Sequence, residues 1–237
     1  MEYIKKKNLI IDFRIDKGEK EYLITLGYNL LICPPSNLIY DAVCGHPDML
    51  MHICGNNIVV HKDMHDEFIL ELASYNYNVY KSKLSLKAEY PYDVSLNALS
   101  LGNLFVHSIN FTDTSLLSFL KYKKLINVKQ GYTKCSTCIV NDHAIITSDV
   151  SIANTLAPLK IDVLLLPPGD ILLPGLSYGF IGGTTGLIED NVLAFYGHLD
   201  YYLYGKEVLG FLKKHRVEPV FLRNGKLIDR GSVLRLY

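Results

Sequence analysis

Charge of one sign is missing from this chain. Its 24 basic and 24 acidic residues cancel over 237 positions, and no long single-sign run occurs. Nucleic acid and anionic membrane surfaces both demand a basic footprint, so neither is expected as the main partner. Lys5, Lys6 and Lys7 form the one basic cluster, and it suits a solvated lead-in to a strand. Long apolar runs are also missing. The longest uncharged stretch, Ile171 to Ile188, is broken by Pro174 and five glycines, so it reads as strand and tight turn rather than a membrane span. The N-terminal MEYIKKKNLIIDF lacks the apolar core of a signal peptide. Cysteines are few, odd in number and scattered (33, 44, 54, 135 and 138), a usage that suits reduced thiols and a cytoplasmic location. The glycines at 179, 182, 183 and 186 form no G-x-G-x-x-G, and Cys135-Ser136-Thr137-Cys138 has no second Cys pair or ordered His pair beside it. No dinucleotide, metal or other cofactor is therefore expected.

What is present is a repeat. After each of Asn8, Asn57, Asn103, His143 and Asn191 comes a short apolar run (LIID, IVVH, LFVH, AIIT, VLAF). Each leads to a polar turn, a helix-like stretch and a second apolar run: NLLICPP (29–35), NVYKSK (78–83), INVKQG (126–131), DVLLLPP (162–168) and EPVFLRN (218–224). The markers are 49, 46, 40 and 48 residues apart. Such periods mean stacked or radially arranged units. The helix of the first unit begins near Asp16, with Glu19 three residues on in a capping-box pattern. The others are expected near 63–73, from Thr112 or Asp113, after Ser148-Asp149, and over 201–215. Strands alternating with helices at this spacing imply α/β architecture with short parallel pairings. Five strand–strand–helix–strand units, the first completed by the tail GSVLRLY, describe a single domain over 1–237. It is a five-bladed, pseudo-fivefold α/β propeller with a central channel. The Gly/Pro-rich stretch at 169–186 reads as an inserted hairpin or lid near that channel.

This arrangement resembles the pentein fold of guanidino-group-modifying enzymes, the arginine deiminases, agmatine deiminases and dimethylarginine dimethylaminohydrolases. The resemblance covers nearly the whole chain, and its specific motif is Gly197-His198-Leu199-Asp200, just after the VLAF run. GHPD (45–48), QGYTKCST (130–137) and YGFIGG (178–183) mark a narrower bacterial branch. The resemblance implies amidinohydrolase or deiminase chemistry. A thiolate attacks the guanidinium carbon, a histidine moves protons to the leaving amine, and carboxylates grip the planar cation. It also implies a nucleophilic cysteine near the C-terminus. Here the chain ends Asp229-Arg230-Gly231-Ser232-Val233-Leu234-Arg235-Leu236-Tyr237, with Arg235 near that place and no cysteine after Cys138.

The candidates for the channel are therefore spread along the chain. His198 and Asp200 read as an acid/base and ligand pair, or as a helix-start turn in which Asp caps and His packs. His46 and Asp48 of GHPD are expected on a strand leading along the channel wall, with a structural turn as the alternative. Cys135, beside Lys134, is a candidate nucleophile, or else a buried structural cysteine; on a strand its thiol would face away from Cys138. Asp12, His61, His107 and Thr147 occupy equivalent positions after strands and form a second tier, whereas Asp63 and Asp149 read as helix caps. Lys134 and Arg235 facing one channel would repel a guanidinium and favour a carboxylate or phosphate. Two function classes follow: a C–N hydrolase, or a non-catalytic member that binds a small zwitterionic or anionic molecule or a protein partner. Substrate and oligomeric state are not readable from the residues.

Overall fold

The computed structural model describes residues 7–237, so Lys5, Lys6 and the rest of the N-terminal stretch lie outside it. The first unit contains β1 (Lys7–Asp12), α1 (Lys17–Thr25) and β2 (Tyr28–Cys33). The second contains α2 (Pro47–Leu50), β3 (Met51–Cys54), β4 (Asn57–Val60), α3 (Asp66–Ser74) and β5 (Asn78–Lys81). The third has β6 (Leu99–Leu101), β7 (Leu104–His107), α4 (Thr114–Ser118) and β8 (Lys124–Asn127). The fourth has β9 (Thr137–Asn141), β10 (Ala144–Thr147), α5 (Val150–Leu156) and β11 (Asp162–Leu165). The fifth has β12 (Thr185–Glu189), β13 (Val192–Phe195), α6 (Gly205–Lys214) and β14 (Glu218–Phe221), after which comes β15 (Leu234–Leu236).

Among the described residues these strands form five three-stranded sheets of one design. The middle strand pairs antiparallel with the strand on one side and parallel with the strand that returns after the helix. The first sheet borrows its antiparallel member from the far end of the chain, with Leu9 opposite Arg235 and Asn8 opposite Leu236. Antiparallel-side strands touch one another across sheets, β6 on β9, β9 on β12 and β12 on β15, while the helices lie against the outer, parallel strands. This is the five-bladed α/β propeller. The middle strands are apolar on both faces, as strands buried on both faces must be: Leu9, Ile10 and Ile11, and Ile58, Val59 and Val60, are fully buried.

Local chemistry sets several boundaries. Asp16 and Glu19 form the capping box of α1. Asp113 and Asp149 cap α4 and α5 by accepting from the N–H groups of Ser115 and Ile152. Asp63 does not cap α3, which begins three residues later, after His65. GHPD is not on a strand: Pro47, with φ preset for a helix, opens the single turn α2 and buries Asp48. The stretch at 169–186 forms no hairpin. It crosses the structure as irregular chain, bridged to Ile228 at Leu172, and ends in a short 3₁₀ turn at Gly182–Thr184 before β12.

Closure of the first sheet by β15 makes a direct prediction. Leu236 is buried against β1, so Leu236→Ala should cost about 2–5 kcal/mol in chemical denaturation. Leu70→Ala, at a position 69% exposed on α3, should change stability by less than about 0.5 kcal/mol.

Candidate active site

The middle strands all end near the same side of their sheets, and polar residues collect there. β1 ends at Asp12, whose buried carboxylate accepts from Arg14 Nε at 2.9 Å and from the Arg14 backbone N–H at 2.7 Å. Arg14 Nη1 in turn donates to the carbonyls of Asp41 and Ala42, fixing the loop that leads into GHPD. The tail approaches the same place. Gly231 has φ +66 and packs so tightly on His46 that a Cβ there would lie 2.2 Å from the His46 Cβ. Only glycine combines that backbone with that contact.

Asp48 is the hub. Its Oδ1 accepts from Cys135 Sγ at 3.1 Å and its Oδ2 from Ser232 Oγ at 2.6 Å. Lys134 Nζ donates to Ser232 Oγ at 2.7 Å, so its charge reaches Asp48 through one hydroxyl. Asn97 shapes the Cys135 turn. Its Oδ1 accepts from the N–H groups of Lys134 and Cys135, and its Nδ2 donates to Asp48 O and approaches Cys135 Sγ at 3.0 Å. Cys135 thus sits on a turn ahead of β9, whereas Cys138 lies within the strand, buried, with its thiol pushed up to about 11 by burial. The Cys135 thiol is also held well above its ordinary value, first by burial and then by the negative charges of Asp48 and Asp229.

His46 is fully buried, and neither ring nitrogen has a hydrogen-bond partner. Nε2 stands 4.0 Å from Asp12 Oδ2 and Nδ1 3.8 Å from Asp229 Oδ1, too far for hydrogen bonds. Asp229 is buried as well. It accepts from the backbone N–H groups of Phe180 (2.8 Å) and Gly231 (3.0 Å), and burial raises its pKa. Gly183 makes this packing feasible, since a Cβ there would lie 1.8 Å from Asp229 Oδ1.

His46, Cys135 and Asp229 all line a cavity of about 180 Å³. Its walls are aromatic and aliphatic: Tyr40 and Tyr132 on one side, Leu173, Leu176, Tyr178 and Phe180 from the 169–186 stretch on the other. That stretch therefore covers the site as the sequence pattern suggests, though as irregular chain. One donor atom from each of His46, Asp48 and Cys135 lies within 4.8 Å of the others, a set that suits a Zn²⁺ ion. His46 and Asp48 stand two residues apart in GHPD, and Cys135 joins them from a segment 87 residues further along the chain.

Seven residues are expected together from the sequence, and four meet: His46, Asp48, Lys134 and Cys135. His198 and Asp200 do not line the cavity. His198 rests its ring on Phe221, centroids 4.0 Å apart, and its Nδ1 accepts from the Asp200 N–H at 3.1 Å, while the Asp200 side chain is 76% exposed. The motif is a helix-start turn in which His198 packs and also caps, in place of the cap expected from Asp200. Arg235 is also elsewhere, because β15 runs antiparallel to β1. Its Ser232 end approaches Asp12 and its Tyr237 end approaches Asn8. Arg235 there pairs with Asp190 at 2.6 Å and lies over the Tyr237 ring, in a cleft of about 740 Å³ shared with Lys7, Asn29 and Glu189. Arg235 and Lys134 therefore do not face one channel, and the argument for an anionic ligand loses its basis.

The second tier is buried but locally committed. His107 bonds Thr112 Oγ1 (2.7 Å) and Gly131 O (2.9 Å), and Thr147 Oγ1 donates to Ser136 O (2.8 Å), whereas His61 is buried directly after β4 with no partner at Nδ1. Asp229, Ser232 and Asn97 escaped notice in the sequence. The first two stand in the tail segment whose missing cysteine drew attention, and their only signal is position. Asn97 has none.

Residues 10–234 match the profile of a family described as "Family of unknown function (DUF6873)", and the chain belongs to that family. No curated protein matches it in sequence. Among solved structures it is similar to a dimethylarginine dimethylaminohydrolase adduct (TM-score 0.62, 9% identity, 98% of this chain and 100% of that one). It is also similar to a DDAH from Pseudomonas aeruginosa complexed with citrulline (0.58, 9%, 91% and 91%). A third similar structure is the inosamine-phosphate amidinotransferase of Streptomyces griseus (0.57, 12%, 90% and 76%). At these identities the likeness establishes the fold, which is the pentein fold.

The buried imidazoles make stability depend on pH. Burial, with lesser repulsion from His107 and Lys123, lowers His52 to about 3, and burial lowers His107 to about 4. The unfolded chain protonates both near 6.5, so it binds the extra protons below that pH. Stability is full above pH 6.5 and falls as pH drops toward 4. His52→Gln, which keeps a partner for Ser100 Oγ, should flatten the urea-denaturation stability profile between pH 6 and 5 by about 1.4 kcal/mol per pH unit. An unchanged slope would mean that His52 is charged in the fold.

Proposed function

We propose that the protein is an enzyme that opens a C–N bond of a guanidine or related amidine cation, with Cys135 as nucleophile. The observation that carries this reading is Asp229: a buried carboxylate facing the cavity, held by backbone N–H groups and by no cation within salt-bridge distance apart from the unbonded His46. A buried carboxylate in that condition favours a cationic ligand. Planar N–H groups of the ligand would bind Asp229, and the central carbon would face Cys135 Sγ.

The groups needed for the reaction stand in order. Sγ bonds to the amidinium carbon while the thiol proton passes to Asp48 Oδ1, already its acceptor at 3.1 Å. The C–N bond then breaks, and the leaving amine takes a proton from His46 or Asp48. Water displaces the sulfur and returns the thiol. Burial first, and the charges of Asp48 and Asp229 second, hold the thiol protonated; a cation beside Asp229 offsets the second of these and eases transfer of the thiol proton to Asp48. Lys134, through Ser232, orients Asp48. All five cysteines are free, in keeping with reduced thiols and a cytosolic protein, and no helix among the described residues is long and apolar enough to cross a membrane.

A second reading has its own support. A thiol pushed this far up suits a site that binds the same cation without turning it over. Incubation with alkylguanidines and amidines, assayed for amine and urea release, separates the two. Cys135→Ala should lower turnover on the order of 10³-fold or more, whereas His198→Ala should change it by less than about twofold. Loss of turnover with EDTA and its return with Zn²⁺ would transfer the chemistry to metal-bound water. No release from any guanidine or amidine, with binding intact, would leave the protein a receptor.

A further inference from the structure

The cavity walls say more about the ligand than its floor does. Among the described residues that line the cavity, the ionisable groups close to its floor are His46, Cys135 and Asp229, and neither lysine nor arginine is present. Lys134 is turned away to Ser232 Oγ, and Arg14 is tied to Asp12 and to two backbone carbonyls. The Tyr132 hydroxyl on the inner wall is committed too, donating to Asp93 Oδ2 at 2.6 Å. What faces the space is ring and methyl. Tyr132 and Phe180 stack at 6.2 Å with 29° between planes, and Tyr178 meets Phe180 edge-on. The mouth is apolar as well, with Leu176 48% and Tyr178 44% exposed.

We infer, on the reading of Asp229 as a cation site, that the ligand is a small guanidine or amidine with an aryl or short alkyl body and no carboxylate. A free α-amino acid such as arginine would place its carboxylate among rings and methyl groups, where an unpaired charge is strongly disfavoured. Size agrees. A dry cavity of about 150 Å³ takes a benzene ring, and this one, about 180 Å³, has a carboxylate at its floor. Aromatic walls also suit the flat face of a delocalised cation. The 169–186 stretch provides half of this wall and is clamped to the charged floor, since the Phe180 N–H donates to Asp229 Oδ2. Occupation of the floor and order in the wall are thereby linked.

The test is calorimetric titration of the intact protein with phenylguanidine, butylguanidine, 4-guanidinobutyrate and arginine at one ionic strength. The first two should bind at least about tenfold more tightly than the last two. Asp229→Asn should abolish phenylguanidine binding. As that position is buried, Leu176→Arg at the exposed mouth provides an independent check: it should shift the preference between butylguanidine and 4-guanidinobutyrate about tenfold toward the carboxylate-bearing ligand. Arginine binding as tightly as butylguanidine would overturn the inference, and so would binding of none of the four. Binding of phenylguanidine and butylguanidine without turnover would uphold the inference while removing the enzymatic reading. Turnover of arginine in preference to alkylguanidines would do the reverse.

Discussion

The antiparallel pairing of β15 with β1 is the constraint on which the site rests. Because Leu9 faces Arg235 in that ladder, the residues just before β15 arrive at the end of β1 that carries Asp12. Asp229, Gly231 and Ser232 are delivered there against His46 and Asp48, which are nearly two hundred residues away in the chain. Ser232 then accepts from Lys134 and donates to Asp48, so three distant segments share one buried carboxylate. If the ladder slipped by one residue, every side chain of the short strand would change face, and the hub would lose its partners. Stability and the geometry of the candidate site are coupled at this seam.

Burial defines the electrostatics around that hub. Asp12, Asp48 and Asp229 are all withdrawn from water, and they are compensated unequally. Asp12 has a guanidinium, Asp48 has an ammonium one hydroxyl away, and Asp229 has backbone dipoles. The least compensated carboxylate is the one that faces the cavity. Buried charge without a strong partner is costly, and this cost is the basis on which a cationic ligand is proposed at Asp229. The unbonded nitrogens of His46 tell the same story from the other side of the cavity floor.

The structural relatives named above are described as dimethylarginine dimethylaminohydrolase, DDAH and an amidinotransferase, and they share only about a tenth of their residues with this chain. At such distance the shared feature is the arrangement of five sheets. In this chain the Cys135 thiol stands on a turn ahead of β9, and a serine with a left-handed backbone, Ser232 at φ +71, stands in the tail segment.

The architecture was legible in the residues because it is periodic. Apolar runs, turn residues and helix caps recur in each unit, and local propensity agrees with tertiary role, as with Asp16–Glu19 at α1 and Asp149 at α5. Equivalent places in the units suggested His46, Asp48, Lys134 and Cys135 as candidates, but suggested His198, Asp200 and Arg235 equally, and these three do not line the cavity. Other features depended on contacts that no local pattern encodes. The G-H-L-D segment turned outward because His198 found Phe221 to stack on. Arg235 went to the opposite end of the sheet because strand polarity, invisible in three residues of sequence, put it there. Asp229 and Asn97 acquired meaning only when folding brought them against Cys135 and His46. Sequence by itself determined the repeating unit and its closure; the meeting of residues separated by 40 to 190 positions was decided by the tertiary structure, since a hydrogen bond across the ring leaves no trace in the order of the chain.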